Sequence, residues 1–195
     1  MVEHPPCKRK VVSSILTGGS RYLDPMRRLA HLLISLFLLT GCASGAENSN
    51  GAFSSQDIMF AEMMIPHHEQ AIEMSELAFA NTTNPDVLAL AEQISSAQEP
   101  EIELMKSWPG VDAMGHAGHT MAGMLDENEM EMLRVSTGAD FDRLFLEGMI
   151  KHHEGAIEMA EMIIDSANQE VAKLGSSIIA SQEAEIQAMK ALLGK

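Results

Sequence analysis

Between residues 57 and 77 the apolar side chains recur every three to four positions, at Phe60, Met64, Ala71 and Met74, with His67 and His68 in the same register. At 100° per residue these positions and Ser75 fall on one side of a helix, and Glu62, Glu69, Glu73 and Glu76 fall on the other. The pattern returns 85 residues later, with Met149, His152, His153, Ala156 and Met159 on one side and Glu147, Glu154, Glu158 and Glu161 on the other. Residues 57–77 and 142–162 are identical at 13 of 21 positions. A shorter match follows each copy: Ile94, Gln98, Glu99, Glu101, Ile102, Met105 and Lys106 return as Ile178, Gln182, Glu183, Glu185, Ile186, Met189 and Lys190. Here Val87, Leu90, Ile94, Gln98, Glu101 and Met105 share an inward face, and Gln182, Glu185 and Met189 repeat it. The repeating unit is therefore a helical hairpin, and two of them predict an all-α four-helix bundle.

The first helix is expected from Ser55 or Asp57, either of which can cap it, to about Ala80, followed by a turn over residues 81–85. The second runs from about Asp86 to Ser107 and stops before Pro109-Gly110. The third opens at Thr137 or Asp140 and ends near Ser166, and the fourth covers about Gln169 to Leu193. The connection over residues 109–139 is far longer than the roughly 2–8 residues of an ordinary bundle turn, which predicts one long crossover with a short helix from Asp126 to Arg134. Pro66 and Pro100, replaced by Lys151 and Ala184 in the second copy, are expected to kink their helices without ending them.

Ahead of the bundle, Met26-Arg27-Arg28 leads into an apolar run from Leu29 to Leu39 and then Leu39-Thr40-Gly41-Cys42. That order predicts a lipoprotein signal over residues 26–41, with lipid attached to Cys42, because about 11 apolar residues cannot cross a bilayer that needs roughly 20. Residues 1–25 then read as an extension from an initiation site placed too early, residues 42–55 as a lipidated tether and residues 56–195 as the bundle. The expected location is the cell envelope, anchored to the membrane and facing the periplasm or exterior. From Cys42 onward there are 7 Lys and Arg against 26 Asp and Glu, a surface that attracts cations and repels nucleic acid. Cys7 precedes the signal and Cys42 is acylated, so disulfide and thiolate-metal chemistry are excluded from the mature domain. Methionine is abundant instead, with 14 of the 16 residues after position 42. Thioether is a soft donor suited to Cu(I), although some of these residues must simply fill the core.

The combination Phe-x-x-x-Met-Ile-x-His-His-x-x-Ala-Ile-x-Met followed by Gln-Glu-x-Glu-Ile-x-x-Met resembles the domain-of-unknown-function 305 family of bacterial exported proteins. The resemblance implies a ferritin-like four-helix bundle, secreted or membrane-tethered, in a family with some copper-binding members. Imidazole and thioether together favour copper, as Cu(I) or as Cu(II) on the imidazoles, and the expected role is copper homeostasis, storage or resistance rather than catalysis. Candidate ligands are Met64, His67, His68 and Met74 from one hairpin and Met149, His152, His153 and Met159 from the other, with Met105 and Met189 closing the sites. Glu101 and Glu185, with Gln98 and Gln182 beside them, are expected to orient the imidazoles. The crossover adds Met114, His116, His119, Met121 and Met124, soft donors separated by glycines that could capture a metal ion or pass it to a copper-transfer partner. Two other readings stay open: a di-iron or di-manganese enzyme, which needs more inward carboxylates than the pattern supplies, and a structural or interaction module in which the histidines form a satisfied buried network. No nucleophile elbow, phosphate loop or haem-attachment motif occurs.

Overall fold

The computed structural model describes residues 51–115 and 121–194; the signal, Cys42 and most of the tether lie outside the described residues. Four long helices, α1 (Ser55–Asn81), α2 (Pro85–Lys106), α4 (Gly138–Ala160) and α5 (Gln169–Leu193), form two hairpins, and the crossover carries a short α3 (Glu127–Val135). No strand occurs among the described residues. Helix α1 starts at Ser55, so its cap falls one residue before the nearer of the two positions expected to cap it. Ser54 is the cap: its hydroxyl accepts from the Asp57 N–H at 3.2 Å while the Asp57 carboxylate accepts from the Ser54 N–H at 2.7 Å. Asp126 and Glu129 make the same reciprocal pair at the start of α3. Pro66 and Pro100 both lie inside continuous helices.

Each helix packs most closely on its hairpin partner, and α1 and α4 pack on one another along the middle of the bundle. They run antiparallel: Phe60 and Met64 from the start of α1 share an apolar cluster with Met159 and Ile163 after the middle of α4, whereas Met74 and Ala78 share a second cluster with Phe141, Phe145 and Met149. Helix α2 ends in the first cluster, at Met105 and Trp108, and α4 begins in the second, at Phe141. The crossover must therefore travel the length of the bundle, which is why about 30 residues are needed where an antiparallel neighbour would need fewer than ten. Leu125, Met130 and Leu133 anchor it to the second cluster.

The third long helix ends earlier than the repeat predicts. Instead of continuing to Ser166, α4 stops at Ala160 and tightens into a 3-10 turn over Glu161–Ile163. The two copies differ at this point: Ile163 stands where the first copy has Ala78, and Gly175 of α5 stands where α2 has Ala91. Ile163 is buried, and a Cβ on Gly175 would lie 2.9 Å from its Cγ1 and 3.1 Å from the Ala160 carbonyl oxygen. The larger side chain and the missing one are thus a matched pair, a volume exchange of the kind that well-packed cores demand.

This pairing predicts a measurable coupling. Ile163→Ala should cost roughly 2–4 kcal/mol in chemical denaturation through the cavity it leaves, and Gly175→Ala should be limited by the clash with Ile163 despite the better helix propensity of alanine. The double variant restores the Ala78/Ala91 arrangement of the first hairpin and should be more stable than the sum of the single changes by about 1 kcal/mol or more. Simple additivity would mean the two positions do not compensate.

Candidate metal centre

Between the two apolar clusters lies a polar layer to which every long helix contributes. Pro66-flanked His67 and His68 come from α1, Gln98 and Glu101 from α2, His152 and His153 from α4, and Gln182 and Glu185 from α5. All four imidazoles have no exposed surface, and Gln98, Gln182 and Glu185 are buried. Helical periodicity places them there because each stands in register with the apolar stripe of its own helix.

The rings fall into two kinds. His68 Nε2 lies 2.8 Å from Glu101 Oε2, and His153 Nε2 lies 2.7 Å from Glu185 Oε2, so each hairpin supplies a carboxylate that holds one imidazole of its own copy. These are the orienting contacts the repeat predicts, although Glu101 keeps 18% of its side chain exposed against 4% for Glu185. His67 and His152 form the other kind, facing each other across the α1–α4 contact with ring centroids 3.8 Å apart. His67 Nε2–H donates to the Ala122 carbonyl of the crossover at 2.9 Å. Burial pushes the His67 imidazole down to about 3, outweighing the raising effect of that bond, and the neighbouring His68 and His153 add to the depression. Burial likewise holds His152 well below its ordinary value, reinforced by His67, His153 and His68. Both rings are neutral at physiological pH, the form in which imidazole binds a metal ion.

The layer is not a satisfied network. Nδ1 of His67, His68 and His153 and both ring nitrogens of His152 have no hydrogen-bond partner, nor do the side-chain amide atoms of Gln98 or the amide oxygen of Gln182. Each such atom costs roughly 1–3 kcal/mol when buried, which makes a purely structural role an expensive one. Where Nε2 is committed as a donor, a neutral ring leaves Nδ1 as a lone pair directed into the core. These nitrogens and the donors around them fit a soft or borderline cation.

The methionines are sorted by end of the bundle rather than by hairpin. Met64 and Met105 join Met159 in one cluster, and Met74 joins Met149 and Met189 in the other. Met64 and Met74 therefore lie on opposite sides of the histidine layer, about 4.5 Å and 10 Å along the helix axis from His67 by the rise per residue. The sequence groups them by copy because the chain lists them so. The antiparallel α1–α4 contact regroups them as three thioethers above and three below the imidazoles. Among the described residues, no three or more His, Cys, Asp and Glu side chains are arranged to hold one metal ion, neither a carboxylate-rich set nor the imidazoles by themselves, so a metal ion in this layer would need thioether donors as well.

Met114 is 74% exposed, Met121 and Met124 are half-buried with Met121 packed against the first cluster, and His116 and His119 lie outside the described residues.

The family model described as "Domain of unknown function (DUF305)" matches residues 57–193. The chain belongs to the DUF305 family. A DUF305 fragment from Deinococcus radiodurans is similar to it at 28% identity and a TM-score of 0.66, over 74% of this chain and 99% of that one. A DUF305 protein from Streptomyces coelicolor has 31% identity and a TM-score of 0.64 over 72% and 93% of the two chains. CopM in its Cu(II)-bound form has 39% identity and a TM-score of 0.60 over 70% and 94%, and CopM has also been solved with Cu(I), with Ag and in the apo form. A comparison with curated proteins gives no match. The bundle is thus the DUF305 fold, all-α and ferritin-like, as the repeat and the resemblance predict.

The neutral buried histidines make a pH prediction. Below pH 6.5 the unfolded DUF305 chain takes up a proton on His67 and on His152 while the folded chain does not until about pH 3 for His67. Stability is therefore complete above pH 6.5 and is lost as the pH falls, by about 1.4 kcal/mol per unit for each ring. Urea unfolding between pH 6.5 and 5, before most carboxylates titrate, should show this slope, and His67→Gln should roughly halve it. A flat profile would place both rings in contact with water.

Proposed function

We propose that this DUF305 protein binds copper at the cell envelope, holding Cu(I) between imidazole and thioether donors in the middle of the bundle. The observation that carries the reading is the set of five buried, unpartnered imidazole nitrogens on His67, His68, His152 and His153, with buried methionines on either side, Met64, Met105 and Met159 in one cluster and Met74, Met130, Met149 and Met189 in the other. Imidazole and thioether without thiolate suit Cu(I), and imidazole also serves Cu(II). Glu101 and Glu185, by accepting hydrogen bonds from Nε2 of His68 and His153, fix the orientation and tautomer of those rings. The likeness to CopM, whose structures include Cu(I)-, Cu(II)- and Ag-bound forms, supports the same chemistry.

The role is one of binding rather than catalysis: sequestration or delivery of the ion, with copper as cargo. The acidic surface would concentrate cations near the domain. The lipobox ending at Cys42 would tether the domain to a membrane; no helix among the described residues is long and apolar enough to cross one. The exposed thioether of Met114 and the other crossover donors would then meet the ion, or a copper-transfer partner, outside the bundle.

Replacing His67, His68, His152 and His153 together by Ala should lower Cu(I) affinity by roughly 100-fold or more, beyond the usual loss for residues that only orient ligands, while far-ultraviolet circular dichroism keeps its helical form. Unchanged affinity in a chain that merely unfolds more easily would make the histidines structural. In the native host, Cys42→Ser should abolish incorporation of a fatty-acid label and release the domain from the membrane fraction; undiminished labelling would refute the anchor.

A further inference from the structure

Between Met64 and Met74 the two copies differ at only two positions, Pro66 against Lys151 and Gln70 against Gly155. In the second copy both positions face the crossover, and in the first copy Gln70 does. Gln70 clamps the backbone of Leu125 from both sides: its Nε2 donates to the Leu125 carbonyl at 2.9 Å and its Oε1 accepts from the Leu125 N–H at 2.8 Å. Lys151 Nζ donates to both carboxylate oxygens of Glu129, four residues farther on, at 2.9 Å. Gly155 supplies room: a Cβ there would lie 2.0 Å from the Ala122 carbonyl oxygen and 2.8 Å from the Gly123 nitrogen. Gly123, at φ +80°, sits against the backbone of Lys151 and His152, where its own Cβ would also clash.

One crossover passes over two equivalent helix faces and cannot be bound by both in the same way. The duplicated hairpins have diverged where it lies, one side providing a clamp and the other a groove. The atom that this seat places is the Ala122 carbonyl oxygen, 2.9 Å from His67 Nε2. The crossover makes no such bond to the equivalent ring, His152, on which the His67 backbone acts instead.

We propose that Gln70, Lys151 and Gly155 are positioning residues that press residues 121–125 onto the bundle as a strap, so that the Ala122 carbonyl holds the Nε2 proton of His67, leaves its Nδ1 as the free lone pair and closes the His67–His152 pair from solvent. The strap rests on the copper reading only for its consequence, which is that an ion reaches the pair when residues 121–125 lift. Its effect on His67 belongs to the metal-free protein. The seat combines two amide hydrogen bonds, an exposed ion pair and a glycine contact with the packing of Leu125 and Met121 on the apolar clusters, all of them contacts of the crossover, so it opens without breaking hydrogen bonds within the long helices. Losing the two Gln70 bonds should raise the opening equilibrium by roughly tenfold.

Long-range ¹H–¹⁵N correlation spectra of the imidazoles in the metal-free full-length protein test this directly. The parent should show His67 as a single Nε2–H tautomer protected from exchange with water. Gln70→Ala should increase that exchange by roughly tenfold and mix the tautomers, and Gly155→Ala should do so more strongly, with the His68 and His153 signals unchanged because Glu101 and Glu185 still hold them. Stopped-flow uptake of Cu(I) from a weak chelator should accelerate in the same order. An unchanged His67 signal in Gln70→Ala would overturn the proposal, whether or not Gly155→Ala folds; equal disturbance of all four histidines would also overturn it, since the residues would then only support the fold. If the parent takes up no Cu(I) but the His67 signals respond as expected, the copper reading fails and the strap stands.

Discussion

The structure depends on keeping two neutral imidazoles, His67 and His152, in contact at the centre of a bundle with no surface exposed to solvent. Everything at that level of the molecule is arranged by this constraint. The layer splits what would otherwise be one core into two apolar clusters, each of which must be packed well enough to offset the cost of the unpartnered nitrogens between them. Phe60, Phe141 and Phe145, the largest of the fully buried side chains, supply that packing away from the histidines, and flexible methionine fills the space next to them. A cation that accepts the free lone pairs would convert the most costly part of the core into its strongest interaction.

Duplication gives the bundle its order, and the places where duplication fails are informative. Ile163 with Gly175 replaces Ala78 with Ala91, an exchange of volume that shifts the end of α4 into a 3-10 turn without opening the core. Gln70 against Gly155 is a different kind of break, forced by topology: two hairpins share one crossover, so only one of them can meet it with a side-chain clamp. The consequence is chemical asymmetry in a near-symmetric layer, with His67 capped by backbone and His152 left bare.

The donors explain why the proposed ion is copper and not a harder one. Glu101 and Glu185 are the two inward carboxylates of the layer, and each is engaged with an imidazole. The remaining donors are imidazole nitrogen and thioether sulfur, which are poor partners for hard, oxygen-seeking cations. The outward glutamates do separate work on the surface: Glu69 pairs with Lys106 and Glu73 with Arg134, tying α1 to α2 and to the crossover helix.

The sequence by itself determined the helices, their inward faces and the histidine layer, because a 3.6-residue period fixes which side chains share a face and a repeated motif fixes the hairpin. Inward placement of His67, His68, His152, His153, Gln98 and Gln182, and the pairing of Glu101 and Glu185 with histidines, were all legible from it. What only the tertiary structure decided is which elements meet across the bundle. Antiparallel packing of α1 on α4 regrouped the methionines by end, joined His67 to His152, and left His68 and His153 to their carboxylates. The contact of Ala122 with His67 joins residues 55 apart through a backbone atom, and no side-chain pattern encodes a carbonyl oxygen. Its trace in the sequence was the pair of glycines, Gly123 and Gly155, whose meaning depends on two backbones approaching in space.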